Sequence, residues 1–123
     1  MSLFGARVLV VEDEPLLRLG LEDMVSELGC VLAGSEGALP GALRLAQSEH
    51  FDIAILDINL AGERVDPICD VLATRGIPFI FTTGYDGNGV PKARMAAAIL
   101  QKPYAIEDFR AAVEAALASR AAP

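Results

Sequence analysis

The sequence predicts a doubly wound α/β domain built on a five-stranded parallel sheet, and three observations carry that prediction. Short apolar runs recur along the chain, separated by amphipathic stretches of helical period. Most of these runs end abruptly in a polar or charged group. No internal repeat, linker or low-complexity stretch interrupts the pattern, so βα units fill all 123 residues. Strands that alternate with helices form a parallel sheet covered on both faces.

The first strand is expected over Arg7–Val11, where Val8 to Val11 run into the acidic pair Glu12 and Asp13. Pro15 stands where a first helical residue would. Leu17, Leu21, Met24, Val25 and Leu28 then share a helical face, and Gly29 supplies the stop, giving a helix from about Pro15 to Leu28. A short second strand follows at Val31–Gly34, and Leu39, Leu43 and Ala46 mark a helix from about Leu39 to Glu49. The central strand, Ile53 to Leu56, is apolar without alternation, as in a strand buried on both faces, and Asp57 closes it.

Ile58 to Val65 reads as a loop, with Asp66 and Pro67 as cap and first-turn proline of a third helix. Ile68, Val71 and Leu72 line that helix and Gly76 ends it. Phe79, Ile80 and Phe81 form a fourth strand that terminates at Thr82, Thr83 and Gly84. Between Tyr85 and Met95, Gly87, Gly89 and Pro91 penalise helix formation, so a fourth helix there is expected to be short or mobile. Ala97–Leu100 is a small-residue fifth strand ending at Gln101, Lys102 and Pro103. A last helix, about Ile106 to Ser119, presents Phe109, Val113, Ala116 and Leu117 on one face.

Composition narrows the function classes. With 53% apolar and 22% charged residues the chain has material for an ordinary core, which excludes disorder as its main description. Its apolar runs are too short to span a bilayer and its first residues lack a signal-peptide pattern, so a soluble, cytoplasmic protein without membrane contact is expected. Cys30 and Cys69 have no CxxC spacing, and His50 is the only histidine, which disfavours zinc sites and His-based triads. These three residues read as packing or surface positions. A net charge of −7 disfavours a nucleic-acid partner and suits a protein or a cation.

In a parallel sheet the strand ends point the same way, so Glu12, Asp13, Asp57, Thr83 and Lys102 should converge in the crevice beyond them. Crowded carboxylates repel one another unless a cation joins them. A hard divalent ion such as Mg²⁺, which takes oxygen ligands, fits Asp13 and Asp57. Lys102 and Thr83 would meet an anionic oxygen, and Gly84 leaves room for a phosphoryl group. Each residue also has a bland reading: helix-opening acids, a turn aspartate, a turn threonine and a solvated lysine. Four such coincidences, in order, at four strand ends are the poorer explanation.

Through VLVVEDEP, AILDINL, PFIFTTGY and QKP the chain resembles the receiver domain of two-component response regulators over essentially its whole length. The resemblance implies a flavodoxin-like sheet of strand order 2-1-3-4-5, with residues 1–123 forming a single receiver domain without an output domain. It implies that Asp57 accepts phosphate from a histidine kinase or histidine phosphotransfer protein. Asp13 would be the direct Mg²⁺ ligand, Glu12 a ligand through water, and the Asn59 carbonyl would complete the protein ligands together with Asp57. Lys102 would pair with phosphoryl oxygens, and the Thr83 hydroxyl would move in to bond one of them. The chain would then be a signalling protein acting through protein contacts rather than an enzyme. A phosphate sink without a downstream target is an alternative.

The sequence departs from the common receiver pattern at several points. Ile99 stands where many receivers carry Tyr or Phe, and Ala61 and Gly62 where a proline is common. The stretch from Phe81 to Tyr85 is similar to single-domain regulators whose motif reads Phe-Ala-Thr-Gly-Tyr, which makes Tyr85 the expected coupling residue and ordering of Gly84–Met95 the expected response. A Mg²⁺-dependent phosphohydrolase working through an aspartyl-phosphate is the rival enzyme reading. It would place a second acid two residues after its nucleophile, where this chain has Asn59.

Overall fold

The computed structural model describes residues 3–60, 62–84 and 96–121. Five strands, β1 (Arg7–Val11), β2 (Val31–Glu36), β3 (Ile53–Asp57), β4 (Phe79–Thr83) and β5 (Ala98–Gln101), form one parallel sheet in the order β2-β1-β3-β4-β5. Helices α1 (Pro15–Glu27), α2 (Leu39–Ser48), α3 (Asp66–Arg75) and α4 (Ile106–Ala121) flank the sheet. The expected strand order 2-1-3-4-5 is the one observed.

Side-chain alternation along the strands divides the interior into two cores. Val8, Val10, Ile53, Ile55 and Ile80 pack with Leu21 and Val25 of α1 and Phe109, Val113 and Ala116 of α4. Leu9, Val11, Ala54, Leu56, Phe79 and Phe81 pack with Ala42 and Ala46 of α2 and Ile68, Cys69 and Leu72 of α3. Because both faces are covered, the three inner strands are apolar at consecutive positions, which is why they read as unbroken runs. The order reverses between β1 and β3, and their carboxyl ends open the crevice where Glu12, Asp13 and Asp57 lie.

Several expectations need correction. The stretch after β3 is not a plain loop: Asn59–Leu60 pairs antiparallel with Glu63–Arg64, with Gly62 at φ +83 in the turn. Asp66 is the first residue of α3 rather than its cap; Val65 holds the cap position, and the Asp66 carboxylate instead accepts from Arg64 Nε and Nη2 at 3.1 and 3.2 Å. β2 runs two residues further than expected, to Glu36, and a one-residue shift in its register with β1 between Val8 and Leu9 accounts for one of them. Leu17 is exposed, since α1 turns Leu21 and Val25 inward and leaves its first turn at the rim. In α2 the inward face centres on Ala42 and Ala46, small residues that let the helix lie close to the sheet, while Leu39 and Leu43 are only partly buried. The end of α3 follows the sequence: Gly76 adopts φ +70, a left-handed cap open to glycine at little steric cost. Tyr85, the expected short or mobile helix up to Met95, and Ala61 lie outside the described residues.

Candidate functional site

Three strand ends and the turn after a fourth build the site. β1 delivers Glu12 and Asp13, β3 delivers Asp57, β4 ends in Thr82 and Thr83, and Lys102 follows β5 at the Lys102–Pro103 cis peptide. Glu12 is fully buried, Asp57 is 7% exposed and Thr83 is 3% exposed, whereas Asp13 is half-buried at the rim. One carboxylate oxygen from each of Glu12, Asp13 and Asp57 lies within 4.8 Å of the others. Of the residues expected at the site, the fold thus brings Glu12, Asp13 and Asp57 together.

Lys102 ties the cluster to the sheet. Its Nζ donates to Glu12 Oε1 and to Asp57 Oδ2, both at 3.0 Å. The other oxygens are held by backbone: Glu14 N–H donates to Glu12 Oε2 at 3.1 Å, and Asn59 N–H donates to Asp57 Oδ1 at 2.9 Å. The Asn59 side chain is turned away, its Oδ1 accepting from Gly62 N–H at 2.9 Å. Asn59 thus steadies Asp57 through its amide, and it offers no acid for phosphohydrolase chemistry.

Three carboxylates facing one ammonium leave the site short of positive charge. Burial, followed by the neighbouring Asp57 carboxylate, pushes the Glu12 carboxyl up from 4.5 to about 7, against the lowering effect of the Glu14 amide and Lys102. Burial works against the charge on Lys102, yet its bonds to Asp57 and Glu12 outweigh it and hold the ammonium above its ordinary range. Tyr104, half-buried beside Lys102, has its phenol pushed up to about 12 by burial and by the charges of Glu12 and Asp57. Tyr104 is a residue of the site that the sequence analysis did not single out; it lies within the field of both carboxylates, and its position two residues after Lys102 was the available signal.

An all-oxygen set of this kind suits a hard divalent cation, which would offset the burial and the neighbouring carboxylate that together keep Glu12 protonated near neutrality. None of the described helices is long and apolar enough to cross a membrane.

Residues 8–114 match the response regulator receiver domain family. The transcriptional regulatory protein PdtaR of Mycobacterium tuberculosis is 32% identical over 115 residues, covering 90% of this chain and 56% of PdtaR. This chain therefore spans about half the length of that relative. The probable chemotaxis protein CheY of Rhizobium etli is 30% identical over 118 residues, covering 89% of this chain and 90% of that protein. The solution structure of SdrG from Sphingomonas melonis Fr1 is similar with a TM-score of 0.80 and 38% identity, over 95% of this chain and 99% of SdrG. Sequence match, strand order and the acidic crevice agree, and this chain belongs to the response regulator receiver domain family.

Proposed function

We propose that this receiver accepts a phosphoryl group on Asp57 from a histidine kinase or a histidine phosphotransfer protein, in a Mg²⁺-dependent reaction, and passes its state on through protein contacts. The observation that carries the reading is the contact of Lys102 Nζ with both Asp57 and Glu12 at the carboxyl edge of the sheet, with Asp13 completing the acidic cluster. An Asp57 oxygen attacks the phosphorus of a phosphohistidine, a P–O bond forms, and the P–N bond breaks with its electron pair leaving on the imidazole. Bound Mg²⁺ would neutralise phosphoryl oxygens during this displacement. Asp13 would hold it directly, Glu12 through water, and Asp57 and the Asn59 carbonyl would complete the protein ligands.

The chain's own residues supply the rest. Asn59 N–H orients the Asp57 carboxylate by holding Oδ1. Lys102, already above Asp57, follows the growing negative charge onto the phosphoryl oxygens. Thr83, nearly buried at the end of β4, brings its hydroxyl to one of those oxygens and draws the following segment with it. Incubation with a panel of labelled, autophosphorylated histidine kinases tests the reading. At least one should transfer label within seconds to the parent and none to Asp57→Asn; equal transfer to both would reject Asp57.

A further inference from the structure

Thr82 is a buried hydroxyl at the site for which neither the fold nor the mechanism above has a use. It is fully buried, and its Oγ1 has no hydrogen-bond partner among the described residues. Burying a hydroxyl unpaired is unfavourable, so such a group calls for an explanation. The motif that Phe81 to Tyr85 resembles has alanine here, so the hydroxyl is an addition in this chain.

Register places the hydroxyl at the phosphorylation site. Asp57 pairs with Thr82, and Thr82 pairs with Leu100 on its other side. Ile55, Ile80 and Leu100 pack in the same core, so Asp57, Thr82 and Leu100 form the next row on that sheet face. Lys102 lies two residues beyond Leu100, and its backbone N–H still bonds Thr83 O at 2.7 Å. Lys102 bonds Asp57 and Glu12 from the far side of β4, the strand that carries Thr82. Thr82 thus stands beside Asp57, on the strand between Asp57 and Lys102. In the resting protein each Asp57 oxygen already holds a donor, Asn59 N–H or Lys102 Nζ. By strand alternation Thr83 starts from the other side of the sheet, so the two hydroxyls are not redundant.

We propose that Thr82 is a second hydroxyl ligand of the phosphorylated Asp57 side chain, without a partner at rest and bonded once the acyl phosphate supplies new acceptor oxygens. This rests on the phospho-acceptor reading of Asp57. A donor satisfied only in the phosphorylated state favours that state over the resting one. Thr82→Val keeps the shape and removes the donor, while Thr82→Ser keeps the donor.

The test is calorimetric titration of parent, Thr82→Val and Thr82→Ser with beryllofluoride in saturating Mg²⁺, alongside urea unfolding of the resting proteins. The valine variant should bind five- to ten-fold more weakly, serine should recover most of the loss, and the resting unfolding midpoint of the valine variant should be equal to or above that of the parent. Equal beryllofluoride affinity in parent and valine variant would overturn the role of Thr82 alone. A valine variant whose unfolding midpoint falls together with its affinity would overturn it too, by showing that the hydroxyl supports the resting fold. A parent that binds no beryllofluoride would overturn both this role and the phospho-acceptor reading.

Discussion

Replacing Glu12 with Gln is expected to stabilise the metal-free protein at pH 8, even though it removes an ion pair of 3.0 Å with Lys102. Unfolded, Glu12 ionises around its ordinary value of 4.5; folded, it keeps its proton until about 7. The folded state therefore binds the extra proton, so the stability tied to this group is full below about 4.5 and is lost as pH rises through about 7. At about 1.4 kcal/mol per pH unit, the displacement corresponds to a loss of roughly 3 kcal/mol by pH 8. Glutamine has the shape of the protonated acid and escapes that loss. The charge-assisted bonds to Lys102 and to the Glu14 amide are already contained in the value of about 7, and imperfect mimicry of the protonated acid by the amide reduces the expected gain to roughly 1–3 kcal/mol at pH 8. Near pH 5 the difference should shrink to within about 1 kcal/mol, because only about the first half-unit of the displacement is then in play. Urea unfolding in the presence of a chelator at pH 5 and pH 8 measures both differences. A variant roughly 3 kcal/mol less stable than the parent at pH 8, as expected for a broken buried ion pair that had been net favourable, would refute the reasoning.

The same acidic cluster yields three further expectations. Lys102→Ala leaves Glu12 and Asp57 facing each other without their shared cation, so the metal-free protein should lose about 3 kcal/mol at pH 8, the lower end for a buried pair because the ammonium is partly exposed. Its Mg²⁺ affinity should rise, and a fall in calorimetric affinity would contradict this. In the parent, Mg²⁺ binding should displace the Glu12 proton, so affinity should climb between pH 6 and about 7.5 and the binding heat below pH 7 should depend on the buffer's own ionisation heat. Asp13→Ala should weaken Mg²⁺ more than any other single change in the cluster, and an unchanged affinity would remove Asp13 from the ligand set.

Fold and site were legible in the sequence to different depths. β1, β3 and β4 announce themselves because a strand covered on both faces must be apolar at every position, and its end is then marked by the first polar residue. The convergence of Glu12, Asp13, Asp57 and Lys102 follows once the strands are parallel, since strand ends then share one edge of the sheet. What the sequence hides is whatever depends on partners distant in the chain. The small hairpin at Asn59–Arg64 rests on pairing that its polar residues do not advertise. Periodicity put Leu17 on the inner face of α1, but the sheet ends before it can cover the first turn. Nor does an acidic pair reveal which member is buried: Glu12 turns in beneath Lys102 while Asp13 stays at the rim, and this asymmetry sets the behaviour of Glu12 toward protons. Thr82 and Thr83 look alike in the sequence, and only register with β3 places the former beside Asp57.

The central claim is that Asp57 is the phospho-acceptor, and direct mapping of the modified side chain tests it best. The protein would be treated with acetyl phosphate and Mg²⁺, reduced with borohydride to convert an aspartyl phosphate to homoserine, digested, and sequenced by mass spectrometry. Homoserine should appear at position 57 in the parent, be absent when Mg²⁺ is chelated, and be absent at every position in Asp57→Asn. Homoserine at another aspartate in the parent, or phosphate retained at parent levels by Asp57→Asn, would contradict the account.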